Sequence, residues 1–179
     1  WFGDGVYDAG PCHNYHIFAM EEHIDRFFNS AGLMKIRMPV TKQELGSLLQ
    51  ELVLKMDTGD LFVYVQVTRG TGPRNHVFTE GCGNLWITLT PAGVLDGTVP
   101  LQLITVEDTR FFHCNVKTLN LLPSVLASEK AKQAGCQEAI FYRPGGRVTE
   151  CAHSNVHIIQ DGMLRTAPTD NLILPGIAR

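Results

Sequence analysis

The chain lacks the features that mark disulfide-rich, membrane-spanning or nucleic-acid-binding proteins. Its five cysteines are odd in number, far apart and without C-x-x-C spacing, so we expect free thiols in a reducing compartment. No uninterrupted apolar run approaches the ~18 residues that a membrane-spanning helix needs. The net charge is -3 and the basic residues are scattered, which argues against nucleic acid or an anionic membrane as a partner. Small molecules or a second copy of the chain are the expected partners.

Most familiar cofactor motifs and targeting signals are missing as well. The sequence contains no P-loop, no H-E-x-x-H and no glycine-rich dinucleotide fingerprint after a strand. It has no secretory signal at its start, so we expect a cytoplasmic protein, or one sent to an organelle by a targeting segment outside this sequence. The chain opens on Trp1 and stops at Arg179, where a new element begins, so we expect a fragment that lacks both ends.

What is present is the composition and periodicity of a folded protein. Of 179 residues, 44% are hydrophobic, which is enough for one large core or two smaller ones. In the first half, Thr41 and Glu44 form a capping box ahead of an amphipathic helix. The elements predicted there are a hairpin, two helices and two strands, at 6–9 with 16–20, 21–34, 41–56, 61–68 and 83–89.

A stretch rich in proline and glycine predicts the domain organisation. Residues 90–100 contain two prolines and two glycines and little that could enter a core. We therefore expect an N-terminal domain at 1–92, a linker at 93–100 and a C-terminal domain at 101–179.

The second half predicts strands around one helix. The helix follows Asn120, which can cap it, and Gly135 is a good stop. Leu122, Val125 and Leu126 are expected to supply its apolar face. Further on, the pair Asp161-Gly162 predicts a tight hairpin turn.

Three groups of residues could carry chemistry, and each also has an ordinary structural explanation. Lys117 follows an apolar run, and burial would lower its pKa and make its amine a nucleophile, whereas a solvated lysine would be inert. Arg26 on the first helix is either a surface residue or a bidentate clamp for an anion such as phosphate. Arg74 and His76 flank one residue of a loop, where they either face solvent or bind a carboxylate together.

Cys151, His153 and His157 raise a separate hypothesis of a zinc site. In an extended chain, side chains two and four residues apart lie on one face, and thiolate and imidazole are preferred zinc ligands. No fourth ligand stands nearby at a usual spacing, and histidines in strands commonly pack or form hydrogen bonds. A non-catalytic zinc-binding or interaction module is therefore an alternative of a different class.

Six short motifs carry the most specific signal in the sequence. They are Phe2-Gly3-Asp4-Gly5-Val6-Tyr7, Glu22-His23-Ile24-Asp25-Arg26, Val67-Thr68-Arg69-Gly70 with Pro73-Arg74-Asn75-His76, Lys117-Thr118-Leu119-Asn120, Thr149-Glu150 with Ser154-Asn155-Val156, and Leu174-Pro175-Gly176-Ile177. In order and spacing they resemble the D-amino-acid aminotransferases of the class IV, fold type IV pyridoxal-phosphate family. The resemblance implies an α+β, two-domain fold type IV enzyme, truncated here, with a smaller N-terminal α/β domain and a larger C-terminal pseudo-barrel α/β domain.

The resemblance also implies a cofactor, pyridoxal 5'-phosphate, and a catalytic residue. Lys117 would join the cofactor aldehyde as a Schiff base and act as general base on the substrate. Glu150 would accept a hydrogen bond from the protonated pyridine nitrogen of the cofactor. Leu174 would pack against the cofactor ring.

Binding of the cofactor phosphate is likewise assigned by resemblance. Arg26 would hold the phosphate, and backbone N–H groups of Ile177 and Ala178 would assist at the N-terminus of a helix. Many relatives have a threonine where this chain has Ala178. The missing hydroxyl removes one hydrogen bond, worth about 1 kcal/mol.

The resemblance implies D-amino acid and 2-oxo acid substrates, with D-alanine and 2-oxoglutarate as examples. Tyr7, Arg74 and His76 would bind the substrate carboxylate, and the loop of Arg74 and His76 would reach in from the neighbouring subunit of a homodimer. A branched-chain L-amino-acid aminotransferase and an aminodeoxychorismate lyase of the same fold are the alternatives within the family.

Overall fold

The computed structural model describes residues 2–78, 80–93 and 96–179. The chain divides into two compact units, residues 1–95 with 117–120, and residues 96–116 with 121–179. The segment 117–120 thus joins the first unit, although it lies in the second half of the chain. The expected division at 92 and 100 stays a prediction, and residues 94 and 95 of its linker lie outside the described residues.

The first unit contains an antiparallel sheet with the strand order β2-β1-β3-β4. Alternate residues of β1 and β3 are buried, so one face of the sheet supplies core side chains such as Val6, Val63 and Val67. A hairpin is present between β1 and β2, but the predicted pairing of 6–9 with 16–20 is wrong. Only Cys12 and His13 pair with β2, whereas 6–9 pair with β3. The strands are β1 Gly5–His13, β2 His16–Ile17, β3 Leu61–Thr68 and β4 Asn84–Pro91.

Two helices of the first unit follow the predicted periodicity. Helix α1 spans Met20–Leu33 and buries Ile24, Phe27 and Ala31 at helical spacing. Helix α2 spans Lys42–Leu54, and the predicted capping box is present at its start. The capping box of α2 and the apolar face of α1 can therefore both be predicted from the sequence.

The second unit is built on a mixed sheet with the order β5-β6-β7. Strands β5 and β6 are parallel and are connected through helix α3, whereas β6 and β7 are antiparallel. Strands β8 and β9 form a separate hairpin whose turn, Asp161-Gly162, has positive φ at both positions as a type I′ turn requires. The bounds are β5 Leu103–Glu107, α3 Leu122–Gln133, β6 Glu138–Arg143, β7 Arg147–Cys151, β8 His157–Gln160 and β9 Met163–Thr166.

Helix α3 differs from its prediction at its start and on its packed face. Its N-cap is Leu121 and not Asn120, and the side-chain amide of Asn120 donates to the carbonyl of Gly3 at 3.4 Å. Leu122, Val125 and Leu126 are exposed rather than packed. The helix instead packs through the small side chains Ala127 and Ala131 against Ala139, Phe141 and Ala152.

The mixture of helices with mostly antiparallel strands confirms the α+β class. Within residues 2–78, 80–93 and 96–179, every helix is too short or too polar to cross a membrane. All five cysteines carry free thiols, as predicted from their number and spacing.

Candidate active site

The backbone of Lys117 is fixed at the edge of β1. The N–H of Tyr7 donates to the carbonyl of Lys117 at 2.9 Å, and the N–H of Leu119 donates to the carbonyl of Gly5 at 3.0 Å. The N–H of Lys117 itself donates to Oγ of Ser30, a fully buried side chain of α1, at 3.2 Å. Hydrogen bonds to a strand and to a helix therefore hold the position from which the lysine side chain departs.

The side chain of Lys117 lies against an aromatic pair. Its Nζ is 4.4 Å from the centroid of the Tyr7 ring, which is a cation–π contact. The Tyr7 ring stacks on Tyr64, with centroids 5.4 Å apart, and the Tyr64 hydroxyl donates to Gln66 at 2.7 Å. Burial raises the pKa of Tyr64, so its hydroxyl stays protonated. Two residues singled out from the sequence, Tyr7 and Lys117, thus lie together.

Arg26 forms a bidentate ion pair with Asp8, the residue that follows Tyr7 on β1. Its Nε and Nη2 donate to the two Asp8 oxygens at 2.8 Å each, and His23 Nδ1 lies 2.7 Å from the same carboxylate. Burial acts to raise the pKa of Asp8, but the hydrogen bonds and charges of Arg26 and His23 outweigh it, so this pKa lies below its ordinary value. Because adjacent strand residues point to opposite faces, Asp8 leaves β1 on the side opposite Tyr7.

The loop that carries Arg74 and His76 is held by aromatic contacts with its own chain. The His76 ring stacks on Phe2 with centroids 4.7 Å apart, and the Arg74 guanidinium lies 5.1 Å from the Phe2 ring centroid. Nearer the base of the loop, the guanidinium of Arg69 lies 3.8 Å from the Phe78 ring. Phe2 therefore brings Arg74 and His76 to one place, as their spacing predicts.

In the second unit, Glu150 is buried and held by three donors. Arg110 Nη1 donates to Oε1 at 2.5 Å, and Asn155 Nδ2 and the N–H of Leu174 both donate to Oε2 at 3.1 Å. Asn155 Nδ2 also lies 3.2 Å from the carbonyl of Leu174. Burial raises the pKa of Glu150, and the hydrogen bond and charge of Arg110 oppose that rise. Glu150 and Leu174, which the motifs assign to one cofactor ring, are directly hydrogen-bonded.

A second carboxylate, Asp108, holds Arg110 from the other side. Arg110 donates to both Asp108 oxygens, at 3.0 and 2.9 Å, and Thr149 Oγ1 donates to Oδ2 at 3.0 Å. Arg143 Nε lies 3.3 Å from Asp108 Oδ2. Burial acts to raise the pKa of Asp108, but Arg110 outweighs it and the pKa lies below its ordinary value. Asp108, Arg110, Arg143 and Glu150 thus form one buried charge network.

The last residues of the chain form a turn beside this network. Ile177 and Ala178 lie in a turn in which the N–H of Arg179 donates to the carbonyl of Gly176 at 3.3 Å. A Cβ added to Gly176 would fall 1.9 Å from Asn155 Oδ1, so only glycine fits against the asparagine. The helix N-terminus expected at Ile177 and Ala178 stays a prediction.

The zinc hypothesis gains no support from the structure. Across the part of the chain that the structure describes, no three His, Cys, Asp or Glu side chains are placed to hold a metal ion. His153 instead lies 3.3 Å from Glu138, which also accepts a hydrogen bond from Ser154. Cys151 is a buried thiol whose pKa is raised by that burial.

The sequence profile described as Amino-transferase class IV matches residues 5–179. The chain belongs to the class IV aminotransferase family. It is 44% identical over 184 residues to the D-alanine aminotransferase of Listeria monocytogenes (strain EGD-e), covering 99% of this chain and 63% of that protein. The D-alanine aminotransferase of Bacillus licheniformis is 39% identical over 189 residues, with 99% and 64% covered. The chain spans a little under two thirds of the length of these relatives.

Solved structures of aminotransferases share the fold. The branched-chain amino acid aminotransferase of Escherichia coli superposes with a TM-score of 0.88 at 22% identity, covering 99% of this chain and 63% of that one. The Thermobaculum terrenum enzyme, in its PLP form, gives 0.86 at 24% identity, with 99% and 63% covered. These neighbours confirm the fold type IV architecture.

Several residues that build the site were not assigned from the sequence. Asp108 and Arg110 directly follow strand β5, and their opposite charges two residues apart are the one available signal. Asp8 could have been found because His23 and Arg26, three residues apart on α1, form one helix face that requires a counter-charge. For Ser30 and its bond to Lys117 the sequence offers no signal.

Proposed function

We propose that the protein catalyses pyridoxal-phosphate-dependent transfer of an amino group from a D-amino acid, such as D-alanine, to a 2-oxo acid such as 2-oxoglutarate. The observation that carries the proposal is Lys117: its backbone is anchored to β1 and α1, and its amine lies 4.4 Å from the Tyr7 ring centroid. The names of the relatives that share about 40% identity support the class of substrate.

The residues of the second unit fit the cofactor chemically. A protonated pyridine nitrogen needs a buried, oriented carboxylate, and Glu150 is 5% exposed with both oxygens engaged by donors that fix its plane. The turn that begins at Leu174 approaches Asn155 so closely that Gly176 has no room for a side chain. These features are those of a rigid cradle, and they are compatible with pyridoxal phosphate.

When bound, pyridoxal phosphate supplies an electron sink for negative charge at the substrate Cα. In this proposal the amine of Lys117 would hold the cofactor and would also move the proton of the substrate Cα. Glu150 would accept a hydrogen bond from the protonated pyridine nitrogen. Leu174 would pack against the ring.

The phosphate and the substrate carboxylate are assigned to separate residues. Arg26, whose guanidinium plane is set by Asp8, would hold the phosphate, and the N–H groups of Ile177 and Ala178 would assist. The substrate carboxylate binds to three side chains that each have a fixed neighbour, Tyr7, Arg74 and His76. We further propose that the loop of Arg74 and His76 serves the partner subunit of a homodimer in the cytoplasm.

Substitution of Lys117 tests the proposal. Lys117→Ala is expected to lower turnover of D-alanine with 2-oxoglutarate by about 10²–10⁴-fold and to abolish the visible absorption of bound cofactor. Lys132→Ala, at an exposed position of α3, is the matched control and keeps both. Retention of both properties in Lys117→Ala would show that the lysine assignment is wrong.

The alternative within the family is an enzyme that acts on branched-chain L-amino acids or on aminodeoxychorismate. The structural neighbours include branched-chain aminotransferases, but at 22–24% identity they bear on the fold alone. Side-by-side assays with D-alanine, L-leucine and aminodeoxychorismate separate the possibilities. Turnover of D-alanine that falls on Arg74→Ala supports the D-specific proposal, and exclusive turnover of L-leucine would contradict it.

A further inference from the structure

We propose that Arg110 is the positioning residue that holds Glu150 as an oriented carboxylate, with Asp108 as the support of Arg110. Neither Arg110 nor Asp108 is among the residues assigned a direct role above. The function of Glu150 toward a pyridine nitrogen rests on the proposed function. The ionisation of Glu150 by Arg110 does not rest on the proposed function, and it can be measured without cofactor.

The geometry of Arg110 is that of a bridge between two carboxylates. One edge of the guanidinium, Nε and Nη2, donates to both oxygens of Asp108, while Nη1 donates to Glu150. Nη2 also lies 3.2 Å from the carbonyl of Leu172, and the ring of Phe141 lies 4.6 Å from the guanidinium carbon. Because the guanidinium is planar and held along its Asp108 edge, its remaining corner points at Glu150 in one fixed direction.

The charges of the network balance only if both carboxylates are ionised. Asp108 and Glu150 are matched by Arg110 and Arg143, and the exposed side-chain fractions are 0%, 6%, 11% and 14%. Removal of the Arg110 charge would leave two buried carboxylates with one arginine, so one carboxyl would have to take up a proton. Asp108 keeps Arg143 and Thr149, whereas Glu150 keeps only neutral donors, so the proton goes to Glu150.

The groups that face Glu150 act in different directions. Arg110 favours its ionised form, Asp108 opposes it, and the two nearby thiols are neutral at pH 7 because burial raises the pKa of each. The titratable and charged groups concerned are Asp108, Arg110, Arg143, Cys114 and Cys151. Arg110 is therefore the one group in this set that donates directly to Glu150 and carries a positive charge.

The ionisation state decides which hydrogen bond Glu150 can make. A carboxylate accepts from a protonated nitrogen, whereas a carboxylic acid donates a proton and prefers an unprotonated one. An arginine that fixes the ionised form thus sets the direction of the hydrogen bond that Glu150 offers.

Infrared difference spectra of the full chain without cofactor test the proposal. In the wild type minus Glu150→Gln difference at pH 7.5, we expect no carbonyl stretch of a protonated carboxyl. The same difference recorded as a function of pH in an Arg110→Met background should show that stretch at higher pH than in the wild type, with the pH of protonation of Glu150 raised by about 1–3 units. Arg147→Met, which removes an arginine from an exposed pair with Asp170, is the matched control and leaves Glu150 ionised.

Two further variants separate charge from packing. Arg110→Lys keeps the charge and should keep Glu150 ionised, although an ammonium cannot reproduce the bidentate hydrogen bonding of the guanidinium. Asp108→Asn removes a negative charge and should lower the pH at which Glu150 is protonated, a shift opposite to that of Arg110→Met. A purely structural role would not give shifts of opposite sign. Two results would overturn the proposal. One is a protonated Glu150 in the wild type, which can be measured without any Arg110 variant. The other is an unchanged pH of protonation of Glu150 in Arg110→Met.

Cofactor titration on the same variants distinguishes this inference from the proposed function. If the infrared shifts occur and pyridoxal phosphate binds the wild type more tightly than Arg110→Met, both stand. If the shifts occur but the wild type shows no pyridoxal-phosphate absorption, the Arg110 inference stands and the proposed function fails. If the shifts are absent, the inference fails whatever the cofactor does.

Discussion

The polar groups around Tyr7 and those around Glu150 are held by different means. Lys117 is fixed by backbone hydrogen bonds to a strand and a helix, and its half-buried side chain meets an aromatic ring. Glu150 instead depends on side-chain ion pairs that are almost fully buried. The first arrangement tolerates changes of side-chain charge, because the backbone sets the position. In the network around Glu150, each charged group is held by the others, so the loss of one group disturbs the position or ionisation of the rest.

The pKa values of two buried carboxylates, Asp8 and Glu150, are shifted in opposite directions. Asp8 has two partners with positive or protonatable groups, Arg26 and His23, and its pKa is lowered. Burial raises the pKa of Glu150 and the charge of Asp108 adds to that rise, whereas the hydrogen bond and charge of Arg110 oppose it. At Glu150 burial therefore outweighs the arginine, whereas at Asp8 the arginine and the histidine outweigh burial.

The strongest way to test the contrast is to remove Asp108. Asp108→Ala leaves Arg143 buried without its carboxylate partner and Arg110 with Glu150 alone, and we expect a loss of about 3–5 kcal/mol in the free energy of unfolding. Asp25→Ala removes the carboxylate of an exposed pair with Lys42 and should cost no more than about 1 kcal/mol. Urea denaturation followed by circular dichroism measures both, and equal losses would show that burial does not govern these pairs.

The pH dependence of stability should have opposite signs at Asp8 and Glu150. The lowered pKa of Asp8 means that its ionised form stabilises the fold above its ordinary value of 3.8, and this contribution is lost as the pH falls below it. The raised pKa of Glu150 means that its contribution is fully present below its ordinary value of 4.5 and is lost as the pH rises through the raised value.

Conservative amide substitutions measure these two contributions. Asp8→Asn should cost about 2–3 kcal/mol at pH 7, since hydrogen bonds to a charged group are lost, and less as the pH falls toward 3. The difference between wild type and Glu150→Gln should instead grow in favour of the wild type as the pH falls. Unfolding free energies from urea titrations at several pH values give both slopes. Slopes of the same sign would contradict the contrast.

A smaller effect is expected where backbone and side chain are packed tightly. Gly176→Ala would place a methyl group against Asn155 and should destabilise the protein by about 1–2 kcal/mol while loosening a donor to Glu150. Gly32→Ala in α1 meets open space and should stabilise by about 0.5–1 kcal/mol. Thermal unfolding measures the two changes. If Gly176→Ala leaves the stability unchanged, the turn at 174–176 accommodates the added methyl group without strain.

Local signals in the sequence predicted local structure well. The capping box of Thr41 and Glu44, the periodic burial of Ile24 and Phe27, and the Asp161-Gly162 turn all depend on neighbours within a few residues. The face of α3 was predicted wrongly for a physical reason. The larger residues Leu122 and Val125 suggested the packed side, but the close approach of the helix to its sheet selects alanine.

The candidate site could be predicted only as a set of residue types. The motifs named Lys117 and Glu150, but their immediate partners come from distant positions, such as Ser30 and Arg110. Such pairs are fixed by sheet register and helix packing, which a single sequence does not encode in any short pattern. Asp108 and Arg110 are an exception. They are oppositely charged, lie two residues apart and directly follow a strand, so such a pair can be identified in the sequence.

The return of residues 117–120 to the edge of β1 has a consequence for biosynthesis. The amide of Asn120 bonds to Gly3 across 117 positions of sequence, and 96–116, which lie between, belong to the other unit. At the usual rate of translation, the start of β1 leaves the ribosome on the order of 10 s before its partner segment. During that interval its outer edge is an unpaired strand edge, the kind of surface at which nascent chains associate. Lys117 is thus among the last groups of its unit to be placed, after a slow, long-range closure of the chain.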